Sequence, residues 1–331
     1  MKQINKTRIL GSGIYLPQSI SSNEIETKHN IPIGFSEKFS GVKSRHQVTF
    51  ETNGYMGARA LENALKNAAL TLEDIDVIIS AGASFDYIIP NVSSVILSEM
   101  DNGHSFNKTT LDINTTCLSF LSAFEVASKM LDGEQYKRIA IVSSEIASKG
   151  LNPNRPETLT LFGDGAAAFI IGHEEVGNSV FYKGSFQTYT KGIDYTIIKG
   201  GGNKYHFKDY PYDSNLYSFE MDGLNLLKLA KKLLPGFIDT FLTELQIKVN
   251  DIDIVVPHQA SKAGLSIFKN LYALNENQLM DNLETHGNCI AASIPILLHE
   301  SIISGKIKRG DICFLIGTSA GFSIGAILFK Y

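Results

Sequence analysis

Four segments of this 331-residue chain occur twice, in the same order and about half a chain apart, and no other feature limits the fold as strongly. DIDVIISAGAS, Asp74–Ser84, returns as DIDIVVPHQAS, Asp251–Ser261, each an acidic lead-in, an apolar run and a polar loop ending Ala-Ser. NTTCLSFLSAFEVASKML, opening at Asn114, is echoed by HGNCIAASIPILLHESIISG, opening at His286. YKRIAIVSSE is echoed by KRGDICFLIGTS, and GDGAAAFIIG by SAGFSIGAILF. Such a chain is expected to fold as two similar halves, 1–175 and 176–331.

Each half reads as strand, helix, strand, the alternation of an α/β fold with parallel strands. The runs 77–81, 139–143, 254–257 and 312–316 are continuously apolar, as strands covered by helices on both faces must be. Helices are expected over 55–69, 118–131, 223–244 and 291–303. Leu111–Ile113 reads as a further buried strand. The stretch 176–218, rich in glycine and aromatic residues, is expected to supply strands and a loop over a cleft. In sheets of this kind chemistry gathers beyond the carboxyl ends of the strands, so duplication brings loops of both halves to one central site.

Those loops carry a distinctive set of side chains. Cys117 stands where the strand-like run gives way to helical spacing at Leu118, Leu121 and Phe124. Free N–H groups and the positive end of a helix dipole favour thiolate there, although a free cysteine also serves as a small buried hydrophobe. His258 ends an apolar strand just after Pro257, which turns its imidazole toward a loop; a structural histidine fits the same place. Asn288 precedes a helix, a position where asparagine is also a common cap. Cys117, His258 and Asn288 together form a set usable for acyl chemistry, with His286 a competing histidine two residues from Asn288. The small-residue turn within Ile316–Gly325 lets backbone N–H groups approach an oxyanion, or simply packs on a helix. GDGAAAFIIG matches no phosphate-binding loop pattern.

Composition removes other classes. The net charge of −4 gives no reason to expect nucleic acid or an anionic membrane as a partner. The three cysteines, Cys117, Cys289 and Cys313, have neither metal-type spacing nor an even count. No run approaches membrane-spanning length, and MKQINKTRILGSG lacks a signal-peptide core, so a reducing, cytoplasmic location is expected.

Taken in order, the chain resembles the β-ketoacyl-acyl-carrier-protein synthase III family of the thiolase superfamily, nearly end to end. The resemblance is carried by GIYLP, by the GV-x-x-R element at Gly41–Arg45, and by the helix after Cys117. LFGDGAAA at 161–168, VPHQAS at 256–261, HGN-x-x-AASIP at 286–295 and the terminal GTSAGFSIGA complete it. It implies a thiolase-like fold, two α/β halves layered α-β-α-β-α. It further implies acylation of Cys117, with His258 and Asn288 polarising the carbonyl of the extender thioester. Decarboxylation of a malonyl unit on a carrier protein then gives an enolate that attacks the acyl-cysteine. The backbone N–H groups of Cys117 and Ala320 match the family's oxyanion hole. No separate cofactor is implied, only acyl-coenzyme A or acyl-carrier thioesters as substrates, with acyl carrier protein as partner and a homodimer as assembly.

Departures from the family pattern point to the substrate. Phe35 replaces the adenine-stacking tryptophan, Phe39 an arginine four residues later, and Lys262-Ala263 stands where an arginine often follows. Leu118-Ser119 replaces a small residue and glycine, and Ala320 a glycine. Ile89 falls where a bulky residue often shapes the partner's acyl tunnel, and Arg155 is a candidate for a nucleotide phosphate. Lys228, Lys231 and Lys232, with Lys262, offer a basic surface for an acidic carrier protein, or a solvated helix face. Beside condensation in fatty-acid initiation or a specialised acyl pathway, a non-condensing Cys-dependent acyltransferase or thioester hydrolase stays open. The intact Cys117, His258 and Asn288 set argues against a silent partner subunit.

Overall fold

The computed structural model describes residues 6–173 and 178–331; the expected boundary between the halves, at 175/176, lies outside them. In the first half β1 (Thr7–Tyr15), β2 (Val77–Ala81), β3 (Thr109–Ile113), β4 (Arg138–Glu145) and β5 (Gly165–His173) form a sheet of order β1-β5-β4-β2-β3. In the second, β6 (Val180–Thr188), β7 (Ile254–Pro257), β8 (Ile312–Ser319) and β9 (Ser323–Lys330) form a sheet of order β7-β8-β9-β6.

The duplication is visible strand by strand. β2 pairs β4 in parallel as β7 pairs β8. β4 pairs β5 antiparallel as β8 pairs β9. β5 then pairs β1 antiparallel as β9 pairs β6. Even β3, which pairs β2 in parallel, has a vestige in the isolated parallel bridge between Val255 and Leu279.

Burial explains the layers. α1 (Asn53–Ala68) and α2 (Val92–Glu99) place Met56, Leu61, Ala64 and Ile96 against Ile78, Ala140 and Ala168 on one face of the first sheet. α3 (Ser119–Met130) and α6 (Ser293–Ile303) lie between the sheets, where Phe124 and Leu297 share one core with Ile79, Phe169, Val256 and Leu315. α4 (Gly223–Leu245) and α5 (Lys262–Leu271) cover the outer face of the second sheet through Phe237, Phe241 and Phe268 against Phe314 and Ile316. Removing apolar area from water drives this stacking, each fully buried large side chain contributing about 1.5–3 kcal/mol. The strands β2, β7 and the interior of β8 read as apolar runs because both their faces are covered.

One expectation is corrected. β3 is an edge strand with Thr109 and Asp112 exposed, because β2 has β4 on its other side and no further strand among the described residues pairs with β3. The 176–218 stretch does supply strands, of which β6 is the counterpart of β1 in the second sheet. Only the remainder runs over the surface, tied by the short pairing of Thr196–Ile197 with Glu220–Met221. No helix among the described residues is long and apolar enough to cross a membrane.

Candidate active site

Both halves build the same turn. After β3, Asn114 Oδ1 accepts the Thr116 N–H at 2.9 Å and Ser119 Oγ accepts the Thr115 N–H at 3.0 Å. In the second half Asn288 Oδ1 accepts the Ile290 N–H at 2.9 Å and Ser293 Oγ accepts the Cys289 N–H at 2.9 Å. Thr116 and Ile290 both take φ of 50°, a conformation that costs a β-branched residue roughly 1–2 kcal/mol. A 3₁₀ turn then leads into α3 after Thr116–Leu118 and into α6 after Ile290–Ala292. The two segments therefore superpose two residues further along than their first letters suggest. Asn114 corresponds to Asn288, and Cys117 to Ala291 rather than Cys289.

Gly317, inside β8, is where the two turns and the His258 loop meet. A Cβ there would lie 2.9 Å from His258 Cβ, 3.1 Å from Leu118 Cδ2 and 3.5 Å from Ile294 Cδ1. Only a glycine lets the residue after Cys117, the helix after Asn288 and His258 itself close around one strand. His258 follows β7 directly, and its N–H donates to Ile316 O at 2.8 Å. Its buried Nδ1 has no hydrogen-bond partner among the described residues. Beyond β8, the Ala320 N–H faces the Cys117 sulfur and favours its thiolate.

Electrostatics run against the expectation drawn from the helix dipole. Cys117 does precede α3 and is only half-buried as a residue, yet enclosure of its sulfur pushes the thiol up to about 12, and the Glu145 carboxylate pushes in the same direction. The N–H donors at the sulfur only partly oppose this. Removing a thiolate from water costs more than a partial dipole returns. Burial likewise holds His258 down to about 4. The pair therefore rests as neutral thiol and neutral imidazole.

Asn288 is held by backbone. Its N–H donates to Leu161 O at 2.9 Å and its carbonyl accepts the Gly163 N–H at 3.1 Å, a parallel bridge to the LFGD segment. Ser293 Oγ also donates to its Oδ1, at 3.4 Å. With Oδ1 so engaged, Nδ2 is the amide's donor. His286 is otherwise occupied: its Nε2 lies 2.7 Å from Glu300 Oε1, and Glu300 also accepts from Asn282. That pairing removes it from competition with His258.

The remaining expected residues lie further out. Phe35 opens the short helix Phe35–Phe39 and stacks on Phe39 at 5.4 Å with rings 11° apart. Arg155 is exposed at the start of the short helix Pro156–Leu159. Ile89 is 86% exposed beside Phe85, Tyr87 and Ile88, all exposed. Lys228, Lys231 and Lys232 are exposed on α4, whereas the Lys262 stem lies against Gly41, on the side of the Gly41–Arg45 element. Sequence reading passed over Glu145, and it took in Gly287 and Gly317 only as parts of their motifs, without a packing role. An acidic residue closing the apolar run RIAIVSSE was the available signal for the first.

Among the described residues no group of three or more His, Cys, Asp or Glu side chains is arranged to hold a metal ion. The family model described as 3-oxoacyl-[acyl-carrier-protein (ACP)] synthase III matches residues 111–192, and its C-terminal companion matches 242–331. A β-ketoacyl-[acyl-carrier-protein] synthase III of Vesicomyosocius okutanii is 31% identical over 98% of both chains. One of Clostridioides difficile is 30% identical over 98% of both. The crystal structure of 3-oxoacyl-[acyl-carrier-protein] synthase III from Aquifex aeolicus superposes with a TM-score of 0.88 at 25% identity, covering 98% of this chain and 100% of that one. The priming β-ketosynthase of the R1128 polyketide pathway, 22% identical, shares the fold at a TM-score of 0.88 over 100% of this chain and 98% of that one.

Proposed function

The chain belongs to the β-ketoacyl-acyl-carrier-protein synthase III family and is a condensing enzyme of fatty-acid initiation or a related pathway, and we propose that Cys117, His258 and Asn288 perform its chemistry. The observation that carries this reading is the meeting of the Cys117 turn, His258 and the helix after Asn288 around Gly317.

Cys117 attacks the carbonyl of an acyl thioester. Its proton passes to neutral His258 and on to the departing thiolate, leaving an acyl-cysteine. A malonyl-carrier thioester binds next. Its carbon–carboxylate bond breaks, CO2 leaves, and the electron pair forms an enolate whose oxygen accepts hydrogen bonds from the imidazole N–H and from Asn288 Nδ2. An imidazole with its pKa held near 4 is uncharged at neutral pH and so serves as this donor without a proton to lose first. Loss of CO2 makes the carbanion, so no general base is required. The enolate carbon adds to the acyl-cysteine, the oxyanion is held by the N–H groups of Cys117 and Ala320, and collapse releases the cysteine sulfur and a β-ketoacyl-carrier product.

Substrates of the family are acyl-coenzyme A or acyl-carrier thioesters with acyl carrier protein as partner. Phe35 and Arg155 are the residues assigned to the donor's nucleotide, and Lys228, Lys231 and Lys262 to an acidic carrier. A homodimer fits the exposed apolar loop Phe85–Ile89 beside the open edge of β3, with Ile89 facing the second copy's acyl site. A cytoplasmic location fits three unpaired cysteines, and the division into halves at 175/176 fits the two sheets.

The test separates the steps. His258→Ala and Asn288→Ala are expected to lower condensation by about 10²–10³-fold each, while acylation of Cys117 slows less in His258→Ala, which loses the proton acceptor, and is little changed in Asn288→Ala. Condensation left intact in both would overturn the assignment. An acyl-enzyme that clears to free acid, with no ketoacyl product, would favour the hydrolase.

A further inference from the structure

Glu145, the last residue of β4, is wholly buried and has no part in the reaction above. Its Oε1 accepts the Ala83 N–H at 2.7 Å. Its Oε2 accepts the Ser84 N–H at 3.0 Å and the Ser84 hydroxyl at 2.6 Å. The Ala291 N–H faces it as well and favours its ionised form. Ala83 and Ser84 belong to the first half; Ala291 belongs to the second and is the counterpart of Cys117. Gly82 makes room, since a Cβ there would stand 3.2 Å from Oε1. The carboxylate is thus gripped by N–H and O–H donors between the two equivalent turns, and its charge acts on Cys117.

We propose that Glu145 is a positioning residue of this site: its carboxylate fastens the loop after β2 to the end of β4, which packs against the Ile290–Ala292 turn beyond Asn288, and brings its charge to bear on Cys117. The inference rests on the reading of Cys117 as nucleophile. Its consequence is protection. An empty site holds a thiol that resists oxidation and alkylation, and the proton leaves only as His258 receives it during attack on a bound thioester.

The titratable groups facing Cys117 can be named element by element. β4 contributes Glu145, and the end of β7 contributes His258, which is neutral at physiological pH. The turn between β8 and β9 contributes only the Ala320 N–H. Burial raises Glu145 to about 7, so its charge is the one that changes near neutrality. In the wild type the alkylation rate of Cys117 is then expected to flatten across that range instead of rising tenfold per pH unit.

The experiment is the pH dependence of Cys117 alkylation by iodoacetamide, read by intact mass, with Cys117→Ala as the blank. Glu145→Gln removes the charge at nearly constant volume; alkylation near pH 7 is expected to be about tenfold faster, a shift of about one pH unit. Ser84→Ala keeps the carboxylate but removes one donor to its ionised form, and is expected to shift the profile the same way by less. Profiles of both variants that overlay the wild type would overturn the proposal, and Ser84→Ala decides alone where Glu145→Gln does not fold. Glu145→Gln is also expected to lower kcat of condensation with KM little changed, as a displaced Asn288 turn requires. A wild type alkylated at Cys117 but acylated by no thioester would defeat the nucleophile reading, while a shifted Glu145→Gln profile would still uphold the role of the carboxylate.

Discussion

Gly287→Ala is expected to disable condensation without touching any reacting group. Gly287 stands at φ 66°, ψ −158°, a region open to glycine and closed to other residues at a cost of about 1–3 kcal/mol. Space adds a second penalty. An alanine Cβ would fall 2.3 Å from Leu161 O, the atom that accepts the Asn288 N–H. Relief requires moving either Leu161 or the Gly287–Asn288 backbone, and overpacking of this kind costs about 1–3 kcal/mol. Together the variant should lose about 2–6 kcal/mol, and Tm should fall by roughly 4–12 °C at about 2 °C per kcal/mol. The movement falls on Asn288 and spares Cys117, which sits on the other turn. Calorimetry, single-turnover acylation by intact mass, and steady-state condensation read the three effects. Acylation is expected to survive and condensation to fall by at least about tenfold. A Gly287→Ala protein with wild-type Tm and wild-type condensation would refute the reasoning.

Other perturbations test separate parts of the structure. Arg45 is fully buried, with Nη2 donating to Ser22 Oγ at 2.8 Å and to Thr160 O at 2.9 Å. Arg45→Ala leaves the buried Glu26 without its neighbouring charge, so urea unfolding should show a loss of about 3–5 kcal/mol. Stability against pH tests the two buried titrating groups, whose signs oppose. His258 is lowered from 6.5 to about 4, so its contribution is full above pH 6.5 and lost as pH falls. Glu145 is raised from 4.5 to about 7, so its contribution is full below pH 4.5 and lost as pH rises. Each shift corresponds to about 3 kcal/mol, so relative to the wild type the stability of Glu145→Gln should climb from pH 4 toward 7 and that of His258→Ala should decline. Parallel curves for all three proteins would contradict both shifts. Phe35→Ala should raise KM for an acyl-coenzyme A donor several-fold and leave kcat unchanged, measured by initial rates. Reversing Lys228 and Lys231 to Glu should raise KM for the malonyl carrier, with a salt dependence weaker than that of the wild type.

Much of this architecture was legible in the sequence because duplication and periodicity are properties of the chain itself. β2 and β7 fall on the expected 77–81 and 254–257, and the helices depart from expectation by no more than two residues at either end. Legibility failed where neighbours in space decide. Nothing in Leu111–Ile113 says that no strand follows it, so its edge position was hidden. Strands were expected in 176–218, but the place of β6 in the second sheet was hidden because its polar and glycine residues, Lys183, Gly184 and Ser185, break the apolar pattern of a covered strand. In the site, residue types and their loops could be read, and with them Cys117, His258 and Asn288. The balance between a helix dipole and desolvation could not, because it depends on how completely the sulfur is enclosed. Glu145 was missed for the same reason: a carboxylate at a strand end looks solvated until its N–H partners are seen.

The central claim is that Cys117 carries the acyl group and that its partners make the carbon–carbon bond. Intact mass of the wild type, incubated with acyl-coenzyme A and acyl-carrier thioesters and then with malonyl-carrier protein, tests it most directly. The account predicts a mass gain equal to one acyl group, absent in Cys117→Ala, that disappears on addition of the malonyl carrier as CO2 and a β-ketoacyl-carrier product form in equal amounts. No mass gain with any donor, or a gain that persists in Cys117→Ala, would contradict it.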